Sequence, residues 1–429
     1  MLSKSKSQDI SEAQKELLAS KGIGAKGNIE LSGDVISRVI NEIVNNECTP
    51  IFAGVMIASL KVLDLSKSEK YSFDDTVRKV RNKMTPSIIK LCFEEFLDCE
   101  EDLICKKLFH QKDLSQQDCE FLTKSLFDKS IDPVYIGVML QGLRLKRETV
   151  SENCYLKSSF SKFVASVEWE GGALVQLAEP YDGFVRTPYL GLYLAILLSY
   201  KGYASVLHSQ NGLGPKYGET CLSALREHTN ANLDIPHALN SLNKIRFACV
   251  DSEKATPELS DLKVMRNQMI KRSYLATFDK LNNPIQAKGE NIQVCGYVHT
   301  PYLNTLSEVL KKEKNELNIL IKGIEGGVVL DPYKKMIVHS LRNGKLKQFE
   351  LTQIELENKF NKNEACDAEK ILSGQHYFSK HIAYTASVLI SIIESRENCE
   401  QALLEIESLF KNGELIKHYH DCIHFIKEN

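Results

Sequence analysis

Residues 174–220 read LVQLAEPYDGFVRTPYLGLYLAILLSYKGYASVLHSQNGLGPKYGET, and this stretch decides the fold. Two short apolar runs, 174–177 and 204–207, predict buried strands, and the apolar segment 189–200 between them predicts a helix. The same alternation continues toward the C-terminus through the apolar runs 293–298 and 319–321. Strands that alternate with helices indicate a largely parallel sheet with both faces covered. Ligands of such sheets bind in loops at the carboxyl ends of the strands.

The composition of the whole chain limits the classes of protein to which it can belong. With 429 residues, the chain is long enough for two or three domains of about 100–200 residues each. Hydrophobic residues at 43% and charged residues at 26% exclude collagen-like and disordered proteins and small disulfide frameworks. The net charge of -2 gives no bulk attraction to DNA or anionic lipid. Apolar runs stay well short of the ~20 residues of a membrane span and no signal peptide is evident, so we expect a cytoplasmic protein without a membrane partner.

Residues 31–163 have a helical pattern that contains an internal repeat. Each copy has a Ser that can cap an amphipathic helix, followed by an apolar helix that begins at Pro and carries a small Gly on its packing face. The matched positions, each 83 residues apart, include Leu31-Ser32 and Leu114-Ser115, Pro50 and Pro133, and Gly54-Val55-Met56 and Gly137-Val138-Met139. We therefore predict an N-terminal helical bundle domain with an internally duplicated helical unit.

These patterns predict four segments. Residues 1–28 are polar and are interpreted as a flexible tail. Residues 29–103 form the extra helical repeat and a connector, and residues 104–163 form a helical domain with a later contribution from about 256–285. Residues 164–429 form the α/β domain, and we expect a ligand cleft between the two domains.

Two loops at strand ends have residues that suit ligand binding. The first, 179–186, follows one strand, and the second, 208–220, is rich in glycine and follows the next strand. Backbone N–H groups of a Gly-rich turn before a helix can hold an anion, and Lys216 would add a positive charge, which points to phosphate. The alternative is that both loops are only tight turns and that Lys216 is solvated. The residue pattern alone leaves both interpretations open.

The same residues resemble the anthranilate phosphoribosyltransferase family, which shares its fold with pyrimidine nucleoside phosphorylases. The loop 208–218 is similar to the family's Lys-His-Gly-Asn-Arg…Ser-Ser-Lys-x-Gly loop, with His208, Lys216 and Gly218 at matching positions. Residues 265–284 resemble the family's Val-Arg…Arg-Thr…Leu-x-Asn-Pro run, and residues 113–152 look like its first helices. The resemblance implies an N-terminal helical bundle domain and a mostly parallel α/β domain of the nucleoside phosphorylase/phosphoribosyltransferase type.

The family transfers a phosphoribosyl group from phosphoribosyl pyrophosphate to an amine with the help of magnesium, and this chain departs from its motifs. Residues 179–183 replace the Gly-Thr-Gly-Gly-Asp diphosphate loop, and Asn211 replaces the loop Arg. Only Glu325 and later Asp331 are acidic where the family has an Asp-Glu magnesium pair. Ordinary anthranilate phosphoribosyl transfer is therefore not implied. Mg²⁺ is expected only if transferase activity is retained, and no other cofactor or metal is expected.

Other motifs are closer to a divergent branch of the same family. Tyr181-Asp182-Gly183, Lys280-Leu281-Asn282-Asn283-Pro284 and Lys322-Gly323-Ile324-Glu325-Gly326 match its Tyr-Asn/Asp-Gly, Lys-Leu-x-Asn-Pro and Arg/Lys-Gly-x-Glu-Gly motifs. Branch members are linked to nucleic-acid binding through basic residues on the dimer surface. The basic residues that could form such a patch here are Arg266, Lys271, Arg272, Lys280, Lys334, Lys335, Arg342, Lys345 and Lys347. The alternative is a solvated basic face.

The resemblance implies a divergent glycosyl or phosphoribosyl transferase-like protein that binds a phosphorylated ribose or nucleotide, with non-catalytic nucleic-acid binding as the alternative. The residues expected to hold phosphate or ribose are Asp182, Gly183, Arg186, His208, Asn211, Lys216, Tyr217 and Gly218. Those expected on the acceptor side are Arg266, Arg272, Lys280, Asn283, Lys322 and Glu325. Family members dimerise through their N-terminal helices, and we expect residues 31–69 to alter or abolish that homodimer.

Overall fold

The computed structural model describes residues 10–22, 27–351 and 367–428. The first α-helices are α1 Glu12–Ser20, α2 Gly33–Val44, α3 Pro50–Lys61, α4 Lys67–Val80, α5 Pro86–Phe93, α6 Glu100–Phe109, α7 Gln116–Ser125, α8 Pro133–Lys146 and α9 Val150–Phe160. The later ones are α10 Gly191–Tyr200, α11 Cys221–Arg226, α12 Ile235–Ile245, α13 Ser252–Ala255, α14 Leu259–Met269, α15 Leu275–Phe278, α16 Tyr302–Leu310, α17 Ala368–Leu372, α18 Ser379–Ile393, α19 Glu400–Asn412 and α20 Glu414–Glu428.

The β-strands are short and are separated by helices over most of their range. They are β1 Val167–Trp169, β2 Ala173–Ala178, β3 Ala204–Ser209, β4 Phe247–Asp251, β5 Ile285–Ala287, β6 Glu290–Gly296, β7 Leu317–Ile321, β8 Val338–Arg342 and β9 Lys345–Phe349.

The chain divides into two compact units. Unit 1 contains the described residues up to Phe163 together with Glu258–Leu275, and is entirely helical. Unit 2 contains Val164–Pro257 and the described residues from Ala276 onward, and holds all the strands given above. In the described part of the chain, no helix is both long enough and apolar enough to traverse a lipid bilayer.

Side-chain caps set where the helices of unit 1 begin. Ser32 caps α2 and Ser115 caps α7, each by accepting a hydrogen bond from a backbone N–H of the first turn. Thr49 and Asp132 cap α3 and α8, and both of these helices have Pro at their first position. The two Pro-initiated helices are buried along most of their length and pack against each other.

Helices α3 and α8 approach each other closely at two glycines. A Cβ on Gly54 would collide with the Val134 carbonyl oxygen, and a Cβ on Gly137 would collide with the Ile51 carbonyl oxygen. The two contacts are related by the 83-residue offset, since Gly54 corresponds to Gly137 and Ile51 corresponds to Val134. The two helices therefore contact each other reciprocally, as the partners of a two-fold interface do. The helices correspond at the offset found in the sequence, while the internal duplication as such stays a prediction.

The N-terminal segment differs from the predicted flexible tail. Residues 12–20 form α1, which begins with a capping box between Ser11 and Gln14 and buries Leu17 and Leu18. The helix forms because the capping box satisfies its first backbone N–H groups and the apolar pair is buried, although most of the surrounding residues are polar. The remaining residues of that segment, 1–9 and 23–26, lie outside the described residues.

Unit 2 is built on a seven-stranded sheet with the order β4-β3-β2-β6-β7-β8-β9. The pairs from β4 to β7 are parallel, and β8 and β9 add an antiparallel hairpin at one edge. On one face the apolar helices α10 and α18 are buried against the sheet, and on the other a smaller cluster surrounds Trp169. The largely parallel sheet predicted from the alternating pattern is confirmed, and the antiparallel hairpin was not predicted.

Candidate ligand-binding site at the carboxyl end of the sheet

Three loops of unit 2 follow the carboxyl ends of β2, β3 and β7, and we refer to residues 179–190, 210–220 and 322–329 together as the rim. The first two loops are joined by a short antiparallel bridge between Phe184 and Glu219, whose backbone groups exchange hydrogen bonds of 2.9 and 2.8 Å. Gly218 N–H also donates to the Asp182 carbonyl oxygen. The residues that the sequence assigned to two separate loops therefore form one backbone-linked surface.

Glycine is required where these two loops touch. Gly183 has a positive φ of 76°, and a Cβ there would collide with the backbone of Gly218. A Cβ on Gly218 would lie 2.6 Å from the backbone nitrogen of Phe184. Both predicted glycines thus have a structural reason, namely the close approach of the two loops, in addition to any role in binding.

The third loop reaches the first two by crossing the end of β6. At Gly296, the last residue of β6, a Cβ would collide with the carbonyl oxygens of Gly326 and Gly327. The buried Lys280 side chain fastens this crossing, since its Nζ donates to the carbonyl oxygens of Gly296 and Gly326. Lys280, predicted on the acceptor side and in a surface basic patch, is instead 6% exposed and holds two loops together.

Glu325, at the tip of the third loop, is bound by groups of the other two. Its Oε1 accepts hydrogen bonds from the backbone N–H groups of Arg186 at 2.7 Å and Val185 at 3.3 Å. Its Oε2 lies 3.2 Å from Lys216 Nζ. Burial opposes ionisation, but the Arg186 N–H and the Lys216 ammonium outweigh it, so the pKa of Glu325 is lowered. The carboxylate is therefore ionised and held by three donors.

Lys216 is positioned by its neighbours rather than solvated. Besides pairing with Glu325, its Nζ donates to the Gly183 carbonyl oxygen at 3.0 Å and lies 5.9 Å from the centre of the Phe184 ring. Its side chain is 19% exposed. The alternative that Lys216 is a solvated loop lysine is therefore wrong, and its charge faces the rim.

Glu179 is a buried acid that the sequence analysis did not select as a site residue. Its Oε2 accepts a hydrogen bond from Val328 N–H at 3.2 Å, and its Oε1 has no hydrogen-bond partner among the described residues. Burial raises the pKa of Glu179 to about 7, against the opposing effect of the Lys280 charge. A buried acid that titrates near neutrality beside a set of glycines marks this rim as chemically unusual.

His208 lies in β3 and not in the loop where the sequence placed it. It is 1% exposed, and its Nδ1 lies 2.5 Å from the Tyr181 hydroxyl, which in turn lies 2.8 Å from Ser252 Oγ. Burial lowers the pKa of His208 to about 4, with Asn283 opposing the shift. The imidazole is therefore neutral at physiological pH and supplies no positive charge to a phosphate.

The other residues predicted to hold phosphate or ribose have different surroundings. Asp182 is buried, and Arg186 is exposed and contributes its backbone N–H to Glu325. Asn211 accepts a hydrogen bond from the Thr220 hydroxyl at 3.1 Å. Tyr217 has a positive φ of 50°, is 39% exposed, and its ring lies against Gly214. The structure thus brings together Gly183, Arg186, Lys216, Gly218 and Glu325.

The residues predicted on the acceptor side are divided between the two units. Arg266 and Arg272 belong to unit 1, where Arg266 lies on α14 and is buried. Within unit 2, Asn283 donates to the Gln293 side chain at 2.7 Å, and Lys322 donates to the Thr300 hydroxyl at 3.4 Å.

The acidic residues near the rim do not fit a magnesium site. Both Glu325 oxygens are engaged by donors, as described above. Asp331 pairs with Lys334 at 2.7 Å and accepts from Tyr333 N–H at 3.2 Å. Over the ranges that the structure describes, no group of three or more His, Cys, Asp or Glu side chains is arranged to hold a metal ion. Because N–H and ammonium donors, not free oxygens, surround these carboxylates, we assign no step to magnesium.

The basic residues proposed as a nucleic-acid patch are divided between the units. Lys280 is buried, and Lys334 is paired with Asp331. Lys335 is exposed in the segment before β8, and the β8–β9 hairpin carries three further basic residues, where Arg342 is directly opposite Lys345 and Lys347 lies two residues further along β9.

Comparison with known proteins agrees with this architecture. Residues 102–156 match the helical bundle domain of a glycosyl transferase family. The match includes α7, α8 and most of α9, and so falls on the second of the two helical segments related by the 83-residue offset. The resemblance to this family seen in the sequence is thereby confirmed for the helical unit.

Individual proteins extend the similarity to most of the chain. An uncharacterized protein of Aquifex aeolicus is 25% identical over 305 residues, which are 69% of this chain and 93% of that protein. Anthranilate phosphoribosyltransferase of Legionella pneumophila is 21% identical over 58% of this chain and 70% of its own length. The structure of anthranilate phosphoribosyltransferase from Saccharomyces cerevisiae in complex with PRPP and Mg superposes with a TM-score of 0.59 at 13% identity, covering 78% of this chain and 99% of that one. The fold is therefore that of the anthranilate phosphoribosyltransferases.

Proposed function

We propose that this chain is a divergent anthranilate phosphoribosyltransferase-like protein that binds a phosphorylated ribose at the rim of unit 2. The observation that carries the proposal is the convergence of Lys216 Nζ and the backbone N–H groups of Val185 and Arg186 on one carboxylate. A set of donors that holds a carboxylate has the charge and hydrogen-bonding character that a phosphate requires.

The rim also has the rigidity that a binding site needs. The bridge between Phe184 and Glu219 and the tight contact between Gly183 and Gly218 hold the two donor loops at a fixed separation. Donors that are already oriented cost little to organise when a ligand arrives. Because the yeast relative was solved with phosphoribosyl pyrophosphate, that compound is the first ligand to test.

The proposal concerns binding and assigns no role to a magnesium ion. The carboxylates of Glu325 and Asp331 are engaged by protein donors, so affinity should rest on Lys216 and the backbone N–H groups.

Any transfer would break the bond between the ribose C1 and the pyrophosphate oxygen and form a bond from C1 to an acceptor amine. Pyrophosphate would leave with the electron pair, and the amine would lose a proton. Consumption of anthranilate with phosphoribosyl pyrophosphate, followed by its fluorescence, separates a transferase from a binding protein.

Isothermal titration of the whole chain with phosphoribosyl pyrophosphate and ribose 5-phosphate tests the proposal. Replacing Lys216 with Met removes the side-chain cation that pairs with Glu325, and we expect affinity to fall by roughly tenfold or more. Lys288→Met is the matched control, because Lys288 pairs with Glu170 at an exposed position elsewhere in unit 2.

Two outcomes would contradict the proposal. The first is the absence of binding heat for either compound, and the second is equal affinity in the Lys216 and Lys288 variants. A different result would favour the nucleic-acid alternative, namely that the chain slows the migration of an oligonucleotide in a gel. This retardation should weaken as salt rises, because phosphate contacts weaken with salt, and it should weaken when the charges of Lys345 and Lys347 are reversed.

A further inference from the structure

We propose that Glu325 is an internal competitor at the anion position of the rim, and that a phosphorylated ligand binds when this carboxylate swings out. The inference rests on the proposed function, because it concerns how the same donors are controlled. It identifies a residue that sets the affinity of the site and the class of anion the site accepts.

The contacts of Glu325 are those of a bound anion. Its two oxygens receive three donors from two other loops, and its side chain is 4% exposed. Among the described side chains, Glu325 alone contacts Lys216 and both backbone N–H groups of Val185 and Arg186. A phosphate that used these donors would need the space and the hydrogen bonds that the carboxylate now takes.

The backbone beneath Glu325 is fastened, so displacement must come from the side chain. Val328 N–H donates to Glu179, and Lys280 donates to the Gly326 carbonyl oxygen. Within the loop, Ile324 N–H donates to the Val329 carbonyl oxygen at 2.9 Å. Glu325 itself has a φ of 51°, an uncommon conformation for a residue with a side chain. The loop thus presents the carboxylate from a fixed position, and rotation about the side-chain bonds releases it.

This arrangement favours phosphates over weaker anions. A phosphate monoester carries about 1.5 to 2 negative charges at neutral pH and has three acceptor oxygens, whereas the Glu325 carboxylate has one charge and two oxygens. A carboxylate ligand would only replace the contacts of Glu325 with equivalent ones, so the exchange would gain no binding free energy. A ligand can bind only those molecules in which the Glu325 side chain has left the site. The internal carboxylate therefore lowers the apparent affinity for every ligand in proportion to the fraction of molecules whose site is open.

Titration calorimetry with ribose 5-phosphate and inorganic phosphate on Glu325→Gln and Glu325→Ala tests the inference. Removing the competing charge should tighten binding of both probes by roughly tenfold in each variant. Glu405→Gln is the matched control, because Glu405 also lies 3.2 Å from a lysine, Lys201, in unit 2 away from the rim. Its affinity should equal that of the unmodified chain. Circular dichroism establishes that each variant is folded.

The outcomes separate this inference from the proposed function. Tighter binding in both Glu325 variants, with no change in the Glu405 variant, supports the internal competitor. If the unmodified chain binds ribose 5-phosphate and the Glu325 variants bind it equally or more weakly, the competitor is refuted while the binding function stands. If the unmodified chain and both folded Glu325 variants fail to bind either probe, both proposals are wrong.

Discussion

The two units of the chain both bury glutamates, and the surroundings of these carboxylates differ. In unit 1, Glu69 accepts hydrogen bonds from the backbone N–H groups of Leu31 and Ser66 and pairs with Lys21 at 2.7 Å. Glu152 accepts from the corresponding N–H groups, those of Leu114 and Thr149, 83 residues later, and pairs with Lys146. In unit 2, one Glu179 oxygen has a backbone donor and the other has no partner among the described residues.

The difference distinguishes a buried acid whose charge is compensated by its surroundings from a buried acid whose compensation is incomplete. Although burial opposes ionisation of Glu69, Lys21 and the two backbone donors lower its pKa, so the charge is fully compensated. The pKa of Glu179 is raised, because burial outweighs its few partners. Buried polar groups are normally satisfied, so the exception at the rim is where a functional constraint is expected.

The largest effect is expected from the satisfied carboxylates. Glu69→Gln removes the charge that compensates Lys21, which is 1% exposed, and should lower the free energy of unfolding by about 3–5 kcal/mol. Urea denaturation followed by circular dichroism measures this loss. Glu120→Gln is the control, since the pair of Glu120 with Lys162 is exposed and screened by solvent, and its loss should have little effect on stability.

The double variant Lys21→Met with Glu69→Gln sharpens the same comparison. It removes the isolated lysine charge while Gln keeps an acceptor for the backbone N–H groups of Leu31 and Ser66, and it should recover most of the lost stability. A loss of less than about 1 kcal/mol in Glu69→Gln alone would show that this carboxylate is not the structural element that the comparison assumes.

A second effect is expected at the contact of α3 with α8. Gly54→Ala and Gly137→Ala each place a Cβ against an opposing carbonyl oxygen that cannot move aside, and each should destabilise the chain by about 2–3 kcal/mol. Gly142→Ala, also on α8, is the control, because its Cβ would meet no backbone atom and would lie 3.3 Å or more from the side-chain atoms of Leu108 and Val62. The same urea experiment should show nearly equal losses for the first two variants, and clearly unequal losses would contradict the two-fold contact.

The fold could be predicted from sequence further than the site. Alternating apolar runs indicated the parallel strands and the helices between them, because strands buried on both faces need continuous apolar residues. The β8–β9 hairpin was missed although Asn343-Gly344, a strong hairpin-turn signal, separates its strands. Strand β9 is mostly exposed, β8 is only partly buried, and both strands contain charged residues, so the apolar pattern that indicated the other strands was absent there.

The key contact of the rim could not be read from local patterns. Lys216 and Glu325 were both selected as site residues, but they are 109 positions apart and were assigned to opposite sides of a ligand. Their pairing depends on the β7 loop crossing β6 at Gly296, which follows from strand order and from a missing side chain. The burial of Glu179 likewise depends on this crossing, since Val328 and Gly327 cover it.

The smallest effect we expect comes from the pH dependence of Glu179. Its pKa in the folded chain, about 7, lies above its ordinary value of 4.5, so the folded chain binds this proton more tightly than the unfolded chain does. The stabilising contribution is complete below about pH 4.5 and is lost as the pH rises through about 7. Glu179→Gln, which keeps an acceptor for Val328 N–H without a charge, should match the original chain at low pH. At about pH 8 it should be more stable by roughly 1–3 kcal/mol.

Urea denaturation of Glu179→Gln between about pH 5 and pH 8 measures this difference, with Glu290→Gln, at an exposed position in unit 2, as the control. A constant gap between the Glu179 variant and the original chain across that range would mean that the folded chain binds this proton no more tightly than the unfolded chain does, so that Glu179 is ionised throughout. The contrast drawn between the two units would then fail, because the rim acid would be as well compensated as Glu69. A gap that opens with rising pH would identify Glu179 as an uncompensated buried acid within the rim, where a ligand phosphate is proposed to bind.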